Sequence, residues 1–231
     1  MRFGDGCGPK EGRFGVGGMG ARLNKAFTLI ELLLVIVVLA MVALLMLLYF
    51  SHRVARAPKI NCANNLRQVG LAFRVWALDH NEKYPMQVSI TNHGSLEFVD
   101  GGAASSHYRP LSNELYSPKL LICPADPGRK AATTFGDGFD DQHLSYFVGV
   151  DATPTNPQMF LTGDRNLTNG ASTKGRFLNL TSNEVAGWTG DLHTSAGNIG
   201  LADGSVQQFG NSKLRNAIEL TGAVTNRLVM P

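Results

Sequence analysis

The sequence predicts an α+β protein with a long N-terminal helix, a β-rich domain and a short C-terminal helix. Three observations predict it. Residues 27–50 form an unbroken apolar run with no Pro, no Gly and one charge, Glu31. Apolar residues then recur at helical spacing as far as Trp76. Beyond Asn81, short β-rich stretches alternate with Pro, Gly and Asn.

Residues 1–26 are glycine-rich, a composition expected to be disordered. Gly15-Val16-Gly17-Gly18-Met19-Gly20 matches G-x-G-x-x-G, but no strand precedes it and an all-apolar helix follows, so a dinucleotide loop is excluded. The segment carries Arg2, Lys10, Arg13, Arg22 and Lys25 against Asp5 and Glu11, which equals the net charge of +3 for the whole chain. The remainder is therefore near neutral, and the basic balance does not argue for nucleic acid. It argues that this segment stays on the cytoplasmic side of a membrane.

The apolar run of about 24 residues reaches roughly 36 Å as a helix, enough to cross a bilayer with some tilt. A secretory signal has a shorter apolar core. The small residues Ala55-Arg56-Ala57 would also leave Pro58 first in the cleaved product, where cutting is disfavoured. A plain anchor accounts for the hydrophobicity but not for Glu31, since a charge inside an apolar span costs roughly 3 kcal/mol on insertion scales.

Phe27-Thr28-Leu29-Ile30-Glu31, after Lys25-Ala26 and before the apolar helix, resembles the processing site of bacterial type IV prepilins and type II secretion pseudopilins. Ala26 stands where those proteins usually have Gly. The resemblance implies a pilin-like fold, cleavage between Ala26 and Phe27 by a prepilin peptidase, and N-methylation of Phe27. It also implies that Glu31 pairs with the N-terminal amine of a neighbouring subunit in a filament. Such a carboxylate gains its cationic partner only when subunits pack, which favours one axial register.

Past residue 50 the helix is expected to bend at Pro58 and resume to about Asn81. Cys62, Leu66, Val69, Phe73 and Trp76 make one apolar stripe, with Asn64, Arg67, Arg74 and Asp79 off it. The segment 61–72 and Tyr84-Pro85 resemble one subfamily of prepilin-like proteins, as do Leu121–Asp126 and Phe160–Asn166. Expected strands are Met86–Ile90, Leu120–Ile122, Leu144–Val150 and Met159–Thr162, with a short helix over Pro110–Tyr116 stopped by Pro118. A last helix capped by Asn211 or Ser212 would bury Leu214, Ala217 and Ile218 and end at Gly222.

Gly197–Ala202 and Ser205–Phe209 read as a hairpin around Asp203-Gly204, a pair suited to a type I′ turn. His193 lies ten positions before Asp203, and this His-x9-Asp-Gly spacing is similar to a C-terminal motif of large prepilin-like families. The plain structural reading has His193 bonding across the hairpin and Asp203 forming its turn. A hydrolase using His193 and Asp203 would lack a nucleophile elbow, and there is no C-x-x-C or H-E-x-x-H metal spacing. Calcium fits the available oxygen ligands better, with Asp164, Asp191 and Asp203 as candidates; related pseudopilins bind it. Asp137, Asp140 and Asp141 form another acidic patch but fail the EF-hand spacing. Trp188 is read as a core anchor before a ligand contact. Cys7 lies in the leader. Cys62 and Cys123 are either two buried thiols or one bridge closing about 60 residues, contributing roughly 4 kcal/mol.

The expected organisation is a cleaved leader (1–26), a membrane and assembly helix (27–50), its amphipathic continuation (51–81) and an extracytoplasmic domain (82–231). The resemblance implies a single-pass protein of the bacterial inner membrane with its C-terminal domain periplasmic or extracellular. Its partners would be prepilin peptidase, the inner-membrane assembly machinery, and copies of itself or minor pseudopilins in a type II secretion pseudopilus or type IV pilus-like filament. A rival class is an extracytoplasmic binding module merely tethered by such a helix.

Overall fold

A computed structural model describes residues 28–54, 57–170, 177–183 and 185–231. The expected cleavage junction, Ala26-Phe27, and Cys7 lie outside the described residues. The chain divides after Tyr49 into two units. In the first, helix α1 begins at Leu29 and runs to Val54 in the second. Its turns follow from 21 consecutive residues, Leu29–Tyr49, without a helix breaker, and their side chains are exposed throughout.

The second unit starts from α2, Ala57–Asp79, with Pro58 in its first turn, where a missing N–H costs no helical bond. Asn81 and Glu82, both at positive φ, turn the chain after it. All five stripe residues of α2 are at most 3% exposed. Short helices α3 (Ala104–Tyr108) and α4 (Ser112–Leu115) follow. Eight strands come next: β1 (Tyr146–Gly149), β2 (Phe160–Asp164), β3 (Leu167–Thr168), β4 (Phe177–Leu180), β5 (Gly187–Trp188), β6 (Ala196–Leu201), β7 (Val206–Gly210) and β8 (Asn226–Val229). Helix α5 (Asn211–Leu220) lies between β7 and β8.

Six strands form one antiparallel sheet in the order β4-β8-β1-β2-β6-β7, and β3 pairs with β5. Strand β1 is central and buried on both faces. Its alternation divides the core: Tyr146 and Val148 pack with the α2 stripe, whereas Phe147 packs with Leu214, Ala217 and Ile218 of α5. The architecture is α+β and pilin-like: a long N-terminal helical segment, an antiparallel sheet and a short helix near the C-terminus.

Several local expectations change. Met86–Ile90 and Leu120–Ile122 are not strands: Pro85 and Pro118 open 3-10 turns at Pro85–Gln87 and Pro118–Leu121. Proline fixes φ and removes the donor a ladder needs, while the neighbouring Met86 and Leu121 are still buried. Pro118 thus begins a turn instead of ending the helix before it. The β6–β7 turn is not type I′. Gly204 has φ 86°, but Asp203 is not at positive φ. Gly204 N–H donates to Leu201 O and Leu201 N–H to Ser205 O, a type I turn followed by a glycine bulge. Helix α5 is capped by Gly210 instead of Asn211 or Ser212. The Asn211 side chain is engaged elsewhere, its Oδ1 accepting from Trp188 N–H at 2.8 Å. Gly222, at φ 68°, follows the helix.

Trp188 is core, and Gly197 makes room for it: a Cβ there would lie 2.1 Å from the indole ring. Gly197→Ala is expected to destabilise the domain by about 1–3 kcal/mol, and Trp188→Leu in that background to recover part of the loss, measured by denaturant unfolding. His107 supplies a pH handle. It is fully buried, its Nδ1 meets Ser95 Oγ at 2.9 Å, and its Nε2 has no partner. Burial pushes its pKa down to about 4, against an upward pull from Asp141. The unfolded imidazole takes its proton near pH 6.5 and the folded one near 4. Stability is therefore full above about pH 6.5 and falls by up to about 3 kcal/mol as pH drops to about 4. In His107→Gln the pH dependence between 6.5 and 4 should flatten by up to one proton.

Candidate functional site

Four chain segments converge beneath the sheet. Cys62 on α2 is joined by a disulfide to Cys123, which follows the Pro118–Leu121 turn; their Cα atoms are 5.0 Å apart. Asn65, one turn on, donates from Nδ2 to Ile122 O at 3.0 Å, so covalent and hydrogen bonds hold the same strip of chain on α2. His193 arrives from the loop before β6 and places Nε2 3.4 Å from Cys123 Sγ and 3.3 Å from Asp164 Oδ2. A disulfide sulfur has no proton, so the ring N–H is the donor in the first contact. Thr194 and Ser195, immediately after His193, both have positive φ, a strain of order 1 kcal/mol each held beside this contact.

Asp164 ends β2 and is fully buried. Its Oδ2 accepts from Asn198 N–H at 2.7 Å and Asn198 Nδ2 at 2.9 Å, while its Oδ1 has no partner. The nearby Tyr146 hydroxyl is also buried and unpartnered. Burial first, then the Asp164 charge, holds that hydroxyl protonated well above its ordinary range. Next along the chain, Arg165 forms a forked pair with Asp126 at 2.7 and 2.9 Å. Burial pushes the Asp126 carboxyl upward, but Arg165 and Ser145 outweigh it and leave its pKa below the ordinary value. Asn166 donates to Thr189 O and Ala196 O, tying the β3 and β6 segments.

The middle of α2 and the chain just after it meet the β6–β7 turn. The Tyr84 hydroxyl donates to Ala202 O, and burial pushes its pKa up to about 12. A methyl added at Gly70 would sit 3.4 Å from Gly204 Cα. Helix α2 is thus held at two places, at Cys62 near its start and at Gly70 midway along it.

His193 and Asp203 do not meet. Asp203 stands in the turn, its Oδ1 accepting from Ser205 N–H at 2.8 Å and its own N–H donating to Pro157 O. Phe160 pairs with Leu201, so Asp203 lies at the opposite end of β2 from Asp164, roughly 13 Å along the strand. His193, 1% exposed and wedged between a carboxylate and a disulfide, has no room for a substrate and does not bond across the hairpin. The candidate calcium ligands separate likewise: Asp164 is internal, Asp203 forms the turn, and Asp191 is exposed and accepts from Thr189 Oγ1. Asp140 and Asp141 are spent on backbone amides, of Gln142 and Ser105. Nothing in the spacing of the sequence pointed to the meeting of His193 with Cys123 and Asp164, which is made entirely by tertiary pairing.

In the first unit, Glu31 stands in the first turn of α1, where Thr28 O and Oγ1 accept its backbone N–H. No basic residue occurs between Glu31 and His52. The family described as the prokaryotic N-terminal methylation motif matches residues 21–47. No curated protein and no solved structure matches the chain. The motif is that of prepilin-like subunits cut by prepilin peptidase. The apolar α1, long enough to cross a membrane, fits a membrane-anchored, single-pass protein, and the motif points to a structural subunit.

Loss of the disulfide, in Cys62→Ser with Cys123→Ser, is expected to cost about 4 kcal/mol, since the bridge closes a loop with sequence separation 61. Denaturant unfolding of oxidised wild type against the double variant measures it.

Proposed function

We propose that this chain is a filament subunit. Prepilin peptidase cuts between Ala26 and Phe27, and the new N-terminus on Phe27 is methylated. Helix α1 then leaves the lipid and bundles with α1 of further copies or of minor subunits, as a type II secretion pseudopilus or type IV pilus-like fibre. The leader lies in the cytoplasm and the domain that follows α1 lies outside the inner membrane.

The observation that carries this reading is Glu31. It sits in the otherwise apolar run Leu29–Tyr49, whose exposed surface suits lipid or other helices, within a matched methylation motif. In lipid alone the carboxylate costs about 3 kcal/mol. A neighbour's N-terminal amine offsets that cost, and only when two helices stand at one axial offset. The pairing therefore drives assembly and sets its register together. A merely tethered module would gain nothing from the acid at this position.

Mass determination of the chain from cells with an active peptidase is expected to show an N-terminus at Phe27 bearing one methyl group. Glu31→Ala should be cut at the wild-type site yet give few crosslinks between cysteines placed along α1 of different copies. The proposal is sunk if Glu31→Ala crosslinks as wild type does, or if wild type gives no ladder of crosslinked copies.

A further inference from the structure

We propose that the reduced form of this chain binds one zinc-class divalent cation between Cys62, Cys123, Asp164 and His193. This goes beyond the filament reading and stands whether or not the chain assembles, because it concerns the second unit alone.

Each of the four residues offers one ligand atom, and these atoms lie within 4.8 Å of one another. All four side chains are at most 1% exposed. Two of the spacings match edges of a tetrahedron around zinc. Bond lengths of about 2.0 Å to N and O and 2.3 Å to S give edges of about 3.3 Å for N···O and about 3.5 Å for N···S. The structure has 3.3 Å from His193 Nε2 to Asp164 Oδ2 and 3.4 Å from His193 Nε2 to Cys123 Sγ. Once the disulfide opens, the two sulfurs need to separate to about 3.8 Å, a change that cysteine side-chain rotation supplies.

Asp164 gives independent support. A fully buried carboxylate with one oxygen unpartnered is a group short of positive charge. Asn198 already orients Oδ2, the oxygen that faces His193, with two N–H groups, as outer-shell donors orient metal-ligating carboxylates. The chemistry of the set selects the ion. Two thiolates, an imidazole and one carboxylate suit zinc, whereas calcium takes six to eight oxygens.

The disulfide and the metal exclude each other. An external dithiol gives two electrons to the Cys62–Cys123 bond, which breaks; the dithiol becomes a cyclic disulfide, and its two protons end on the protein sulfurs. Cation binding then releases both thiol protons to water, and His193 ligates through a deprotonated Nε2.

The test uses the full chain in detergent micelles, reduced with a dithiol, freed of reductant under inert gas and titrated with cobalt(II). One equivalent should bind with the intense visible bands of a tetrahedral site and thiolate-to-cobalt absorption in the near ultraviolet. Zinc should displace the cobalt and slow reoxidation of the thiols. The oxidised chain should show neither band, and His193→Ala and Asp164→Asn should each weaken binding at least about tenfold. The proposal is overturned if the reduced chain takes up no stoichiometric cobalt, folded or not. It is equally overturned if the cobalt spectrum is octahedral, or if both variants bind as wild type does.

Discussion

The bond between Cys62 and Cys123 is the constraint on which the arrangement of the second unit depends. Helix α2 packs into the core through seven apolar side chains, from Cys62 to Ala77. Such contact is strong but non-directional, and a helix displaced by one turn of 5.4 Å would bury much the same area. The disulfide removes that freedom at one point, and Asn65 repeats the restriction one turn later. His193 and Asp164 then connect the bridge to β2 and to the loop leading into β6. Buried polar groups serve here to choose one register among several of similar apolar burial.

The same logic, in a different solvent, runs through the proposed role of α1. A helix apolar on all sides packs in lipid or in a bundle, and neither environment distinguishes one axial position from another. Glu31 supplies the distinction. Both helices thus carry a broad, unspecific apolar surface and a single polar or covalent device that makes its use specific. In α2 the device acts within the chain; in α1 it would act between chains.

Legibility in the sequence followed the range of the interactions. The α2 stripe was readable because a period of 3.6 is a local property, and the β6–β7 hairpin because Asp203-Gly204 marks a turn within a few residues. Met86 and Leu121 show where local reading fails: both are as buried as strand residues, but the proline beside each sets a 3-10 turn. Strands β4 and β8 escaped notice because Phe-Leu-Asn-Leu and Asn-Arg-Leu-Val are short, and they pair with each other and with β1 across long stretches of chain. Cys62 and Cys123 were legible as a candidate bridge, while Asp164 and His193 were candidates for other sites. Their meeting depends on the order of β1, β2 and β6 in the sheet, which no spacing along the sequence records.

That meeting also fixes where the segment from His193 to Gly204 begins. On α2, Cys62 and Gly70 are eight residues apart, about 12 Å along a helix. On β2, Asp164 and Phe160 are four residues apart, about 13 Å along a strand. The segment from His193 to Gly204 runs beside both, touching the disulfide at its start and facing Gly70 at its end. Its eleven residue steps could extend to about 36 Å, so the chain turns as well as runs beside the helix, at Thr194 and Ser195 before β6 and at Gly204 after it. An extra residue inside β6 would reverse the faces beyond it, turning Gly197 away from Trp188 and Asn198 away from Asp164. His193 and Asp203 thus serve at separate places, one at the bridge and one in the β6–β7 turn, and need never touch.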